Sequence, residues 1–192
     1  AMIAINGTES SATISSALEN SDNINIGSRT DGQFILNGKT QEIIVWGNAQ
    51  SSTNRAAIRE NLNAYFQIGN FGTITSGLLA TYTGAAVAYS VRQLANTAIK
   101  CMRIRRDSDD SETDIGFDSS GDLDTSAIAT HCGSANGYVV TWYDQSGNTN
   151  NATQSTSNNQ PKIYDGSAVI TENGKPIIMG GRLEYSAISI SP

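Results

Sequence analysis

Tyr138-Val139-Val140-Thr141-Trp142-Tyr143-Asp144-Gln145-Ser146-Gly147-Asn148 is the stretch on which the fold hinges. From Tyr138 to Tyr143 every residue is β-branched or aromatic, the types that fill a pleated, half-buried surface best, so the segment predicts a strand. Asp144 to Asn148 then supply turn chemistry: Asp and Asn bond their own backbone, and Gly accepts positive φ. A strong strand cut off this abruptly points to an antiparallel protein of short strands and turns.

Downstream, residues 149–192 are rich in Asn, Ser and Thr, with short strands expected near Pro161–Tyr164, Ala168–Thr171 and Pro176–Met179. Upstream, Lys100–Arg105 and Thr113–Phe117 read as strands around a polar turn, and Asp124 can cap a short helix that stops at Gly133. Ala85, Val87, Ala88, Val91 and Leu94 suggest a helix from Gly84 to Leu94. A glycine-rich seam lies at residues 67–77, before which Ile58, Leu62, Tyr65 and Phe66 recur at helical spacing from Asn54, with Ser52 or Thr53 as cap. Asn37-Gly38 suits the positive φ angles of a type I′ turn, so Gln33–Leu36 and Lys39–Trp46 predict a hairpin. Within it, Ile43-Ile44-Val45-Trp46 is apolar without alternation, as in a strand covered on both faces. Two further short strands are read at Met2–Ile5, ending at Asn6-Gly7, and at Ile24–Ile26.

Composition narrows the function classes. The chain is 38% hydrophobic and 16% charged, with 18 Gly but 3 Pro, the make-up of strands joined by polar turns. No apolar run approaches the roughly 20 residues of a membrane span. A net charge of -6 opposes a phosphate backbone, so neither membrane insertion nor nucleic acid is expected. Arg103, Arg105 and Arg106 run into Asp107, Asp109 and Asp110, which predicts local neutralisation. The opening Ala1-Met2 carries no leader pattern, and the export route is not legible.

A resemblance enters at Trp142 to Asn148, with Ala152-Thr153-Gln154 and Gln160-Pro161. Gly84 to Arg92, Arg103 to Arg106 with Ser108-Asp109-Asp110, and Asp114-Ile115-Gly116-Phe117 extend it. On these residues 78–183 resemble the first half of the fungal α-L-arabinofuranosidase B catalytic domain, a concanavalin A-like sandwich also similar to domains of phage and marine bacterial surface proteins. Ile26 to Arg29, Leu36 to Lys39, Gln41 to Trp46 and the helix through Asn54, Arg55, Ile58, Asn61 and Tyr65 resemble instead the closing half of a laminin G-like domain. The two pieces thus stand in reverse order. The resemblance implies an all-β, concanavalin A-like (jelly-roll) antiparallel β-sandwich with two or three short helices, circularly permuted or strand-swapped. Residues 1–66 and 78–192 would contribute the two halves, with 67–77 as linker.

The residues that could carry chemistry are few. A retaining glycosidase needs two carboxylates about 5 Å apart. Glu42, Asp107, Asp109, Asp110, Asp114, Asp118, Asp144 and Glu184 are candidates, and the resemblance places none of them in the family's catalytic pair, which belongs to the later half of that domain. One histidine, His131, sits where it can satisfy helix-end carbonyls, and no Gly-x-Ser-x-Gly elbow occurs, so hydrolase triads are not expected. Asp107, Asp109, Asp110 and Asp114 crowd enough hard oxygens to suit Ca2+, or else form a solvated acidic loop beside the arginines. Tyr143, Asp144, Gln145 and Asn148 could contact a glycan, Tyr143 as platform, although Asp144 suits a turn-forming role and Trp46 and Trp142 suit the core. Cys101 and Cys132 could form a disulfide closing about 30 residues, or remain two buried thiols. The expectation is a structural or adhesive module of a phage virion (tail fibre, appendage or capsid decoration) or of a microbial surface, extracellular or on the virion. It would act by self-assembly with other copies or with other surface proteins, and by contact with cell-surface glycan. A carbohydrate-binding lectin-like domain and an arabinofuranosidase-like hydrolase are the alternatives.

Overall fold

The computed structural model describes residues 2–5, 8–11, 24–26, 38–67, 77–181 and 183–185. In chain order the elements are β1 (Met2–Ile5), β2 (Thr8–Ser11), β3 (Ile24–Ile26), β4 (Lys39–Thr40), β5 (Glu42–Trp46), α1 (Ser52–Phe66), α2 (Leu78–Thr81), β6 (Ala85–Ser90), β7 (Met102–Arg106), β8 (Glu112–Ile115), α3 (Thr125–Cys132), β9 (Asn136–Trp142), β10 (Ala152–Thr153), β11 (Lys162–Asp165), β12 (Thr171–Glu172), β13 (Lys175–Pro176), β14 (Ile178–Met179) and β15 (Leu183–Tyr185). All the strand pairs are antiparallel, as expected of an all-β fold with a few short helices.

The segment predicted to be the strongest strand is β9, the centre of a nine-stranded sheet. β7 lies along one side of it, with β8 beyond; β10 and β11 share its other side. From β10 the sheet runs on to β15 and β3, and from β11 to β14 and β4. A bulge opposite Arg103 and Ile104 makes Val140 the extra residue of β9. A bulge resets the two-residue alternation, so Gly137 and Val139 face inward before it and Trp142 faces inward after it.

β5 and β6 form a second, two-stranded sheet that lies over the first. Val87, Tyr89 and Val91 join Met102, Ile104, Val139 and Trp142 in one core, with the Tyr89 and Trp142 rings 5.8 Å apart. Ala88 points the other way, into a smaller cluster with Leu78 and Leu94. Burial on both faces is what the unalternating apolar run Ile43–Val45 predicted: Ile43 and Val45 pack on the main core and Ile44 on the smaller one.

The same two-sided burial overturns the helix expected from Gly84 to Leu94. Its apolar residues do recur at helical spacing, but pairing with β5 makes Ala85–Ser90 a strand, and the helix hereabouts is α2. Val87, Tyr89 and Val91 favour extended backbone once a partner strand is present. Residues 39–46 also differ from the single expected strand: Lys39–Thr40 pairs with β14 and Glu42–Trp46 with β6. The Gln33–Leu36 arm of the predicted hairpin lies outside the described residues.

Both longer helices form where expected. α1 is capped by Ser51 rather than Ser52 or Thr53, because Ser51 has extended ψ (159°) and its Oγ accepts from Asn54 N at 3.1 Å. Asp124 Oδ1 caps α3 by accepting from Ala127 N at 2.9 Å, and Gly133 ends it. Tyr65 and Phe66 at the end of α1 enter the main core, and β3, β4 and β5 pair with strands of the later part, whereas β1 and β2 pair with each other.

Candidate functional site

The Tyr143–Asn148 turn is built against β6. Asp144 Oδ1 accepts from Ala88 N at 2.8 Å and from Ser146 N at 2.9 Å, while Oδ2 accepts from Ser146 Oγ at 2.7 Å and Asn150 N at 3.0 Å. The turn-forming role expected of Asp144 is therefore realised. The side chain of Gln145 is buried: Oε1 accepts from Leu94 N at 2.7 Å, and Nε2 donates to Ser90 O at 3.1 Å and Arg92 O at 3.0 Å. Asn148 Nδ2 donates to Ala85 O and Ala86 O, each at 3.0 Å. Asp144 and Gln145 are thus occupied with backbone: β6, with one edge that no described strand pairs, draws these side chains inward to satisfy its peptides.

Tyr143 alone of the four points elsewhere. Its hydroxyl donates to Asp114 Oδ1 at 2.7 Å, and burial, with Asp114 beside it, pushes its pKa up to about 12. Asp114 also accepts from Arg103 Nε at 2.8 Å and Lys100 Nζ at 2.6 Å, and the Arg103 bond holds its carboxyl well below the usual range.

The other acids of the proposed calcium loop are divided among arginines in the same way. Arg106 pairs with Asp109 at 2.6 Å, and Arg105 reaches Asp110 at 2.7 Å and Asp107 at 3.4 Å. Local neutralisation, one of the two readings of this stretch, is what forms. Among the described residues no group of three or more acidic, His or Cys side chains is placed to hold a metal; the carboxylates of the loop turn to nearby guanidinium and ammonium groups. His131 does not serve its own helix end; its Nε2 lies 3.1 Å from Ser111 O. Cys101 and Cys132 are free thiols rather than a disulfide. Cys101 faces β6, its thiol donating to Ser90 O at 3.2 Å, and Cys132 closes the end of α3; burial raises the pKa of each.

The sequence did not disclose the most deeply buried charged group among the described residues. Glu42, at the start of β5, accepts from Arg92 Nε at 2.9 Å, from Arg92 Nη2 at 3.2 Å and from Ser90 Oγ at 2.5 Å. The Arg92 and Glu42 side chains retain 5% and 3% of their exposure, so this pair is desolvated. Arg92 stacks 4.6 Å from the Tyr65 ring centroid, and the Tyr65 hydroxyl donates to Asp122, which also pairs with Lys175 at 3.2 Å. Burial and the Asp122 bond drive the Tyr65 hydroxyl far above its ordinary range. Opposite charges separated by about 50 positions in the chain leave no local pattern by which this junction could be found.

The described residues form an open, shallow pocket of about 520 Å³ at the C-terminal end of α3. Arg106, Asp107, Ser108, Cys132, Ser134 and Asn136 contribute to its wall. Arg106 is fixed there by its bond to His131 O at 2.8 Å, and Asn136 Oδ1 by Lys162 Nζ at 3.3 Å. Hydroxyls, an amide and paired charges make this wall polar without a dominant sign, suited to a ligand with many hydroxyls. Of the carboxylates considered as catalytic, Glu42, Asp107, Asp109, Asp110 and Asp114 face cations, and Asp118 and Asp144 bond turn amides. The side chain of Glu184 lies outside the described residues.

The family described as Alpha-L-arabinofuranosidase B, catalytic, matches residues 79–192, more than half of the chain. Neither a curated protein nor a solved structure matches it.

Proposed function

The chain belongs to the family of the α-L-arabinofuranosidase B catalytic domain, and we propose on that basis that it is a carbohydrate-directed domain that binds furanosyl glycan. The family match is the observation that carries this reading. The pocket at the end of α3 supports it, since its hydroxyl- and amide-lined wall can replace water around sugar hydroxyls. Binding is preferred to cleavage because the candidate carboxylates already serve ion pairs or turns, whereas a retaining mechanism needs two of them facing one bond.

The finer fold reading is that of a concanavalin A-like sandwich assembled from two segments in permuted order. Its support is the pairing of β5 with β6 and the entry of Tyr65 and Phe66 into the main core, as a single permuted domain requires. No observation on the molecule favours a virion or adhesive role over the carbohydrate one.

Titration with arabinofuranosyl oligosaccharides tests the proposal. Saturable binding with a dissociation constant of about 1 mM, near -4 kcal/mol, is expected. Ser134→Trp, which fills the pocket, and Asn136→Ala should each weaken it. Absence of saturation at about ten times that concentration refutes binding. Turnover of a chromogenic arabinofuranoside that one carboxylate substitution abolishes would replace binding with hydrolysis.

A further inference from the structure

Strand β6 has two edges, and among the described residues only one is paired with a strand. β5 takes that edge, from Ser90 opposite Glu42 to Ala85 opposite Trp46. The other edge is met by the turn that follows β9. Asp144 takes the Ala88 N–H at 2.8 Å, Gln145 N donates to Ala88 O at 2.8 Å, and Gln145 Nε2 donates to Ser90 O at 3.1 Å. Asn148 and Asn150 both donate to Ala86 O at 3.0 Å. The Ala88 N–H and the carbonyls of Ala86, Ala88 and Ser90 face away from β5, so the turn answers bonds that a further strand would make there.

We propose that this turn is a cover that keeps β6 from pairing with β6 of a second copy of the chain. β6 reads Ala-Ala-Val-Ala-Tyr-Ser, without charge or proline, and so lacks the usual protections of an exposed edge. An antiparallel pair of identical edges is self-complementary, so the contact closes at a dimer rather than growing into a fibre. The cover depends on Asp144, whose carboxylate both holds β6 and organises the turn through Ser146 and Asn150. This inference stands independently of the carbohydrate reading.

Asp144→Ala and the milder Asn148→Ala test it, by amide hydrogen exchange at Ala88 and by sedimentation from about 5 µM to about 1 mM. Removing the charge-assisted bond should speed Ala88 exchange about ten- to a hundredfold, with a dimer fraction that rises with concentration. Ala88→Pro in the same background should restore the monomer, since the Ala88 N–H faces the turn and not β5. A folded variant with accelerated Ala88 exchange that stays monomeric throughout overturns the proposal, as does a dimer that Ala88→Pro leaves intact. Should Asp144→Ala fail to fold, Asn148→Ala decides on the same criteria.

Discussion

Arg92→Met removes one half of the most deeply buried ion pair among the described residues and leaves Glu42 desolvated without a counter-charge. Arg92 is bound through two nitrogens, at 2.9 and 3.2 Å, and neither side chain keeps more than 5% of its exposure. Breaking such a pair on one side costs about 3–5 kcal/mol, because the remaining charge has neither water nor partner. Loss of the cation–π contact, 4.6 Å from the Tyr65 centroid, adds about 1 kcal/mol. The sum, roughly 4–6 kcal/mol, rivals the whole stability of a typical domain. Urea unfolding should show the midpoint collapsing with little change in slope. Replacing both partners, Glu42→Leu with Arg92→Met, should restore most of the loss, since an apolar pair of similar volume carries no desolvation penalty. A single substitution costing under about 1 kcal/mol, or a double one costing the sum of both singles, would show that the junction is neither desolvated nor coupled.

Three further outcomes are expected. A Cβ on Gly137 would lie 2.7 Å from Cys132 Sγ and 3.0 Å from Tyr164 Cβ, so Gly137→Ala should cost about 1–3 kcal/mol in denaturant midpoints, with part recovered by adding Cys132→Ala. Because hydrogen bonds from Arg103, Lys100 and Tyr143 depress the folded pKa of Asp114, its contribution is complete above the unfolded value of about 3.9 and is lost as pH falls through the folded value. Acid titration of stability should therefore show the wild type losing ground to Asp114→Asn below about pH 4, and parallel curves would contradict this. A thiol reagent should label neither cysteine in the native protein and both after unfolding without reductant, since Cys101 and Cys132 are free and buried.

Much of the local architecture was legible because its causes are local. Asp124 and Gly133 bracket α3 through their own cap geometry, and Tyr138–Trp142 is β-branched and aromatic enough to be a strand in almost any context. The Asp144 turn was likewise readable from its own residues, although the strand it clamps was not. Ala85–Ser90 misled because alanines and valines at helical spacing satisfy two periodicities at once, and only the presence of β5 alongside selects the extended one.

The candidate site was less readable, for the same reason carried further. Gln145 and Asn148 read in the sequence as polar turn residues, and only the tertiary structure shows their amides bonded to the backbone of β6. The acidic loop reads in the sequence as a crowd of carboxylates, and only the tertiary structure shows which of Arg103, Arg105 and Arg106 each one meets. Caps, turns and strand preference are properties of a few consecutive residues, so the order of amino acids alone specifies them. Pairing of Glu42 with Arg92, burial of Gln145 and separation of the two thiols depend on which distant segments meet, and it is the packing of β5 and β6 over the large sheet that settles them.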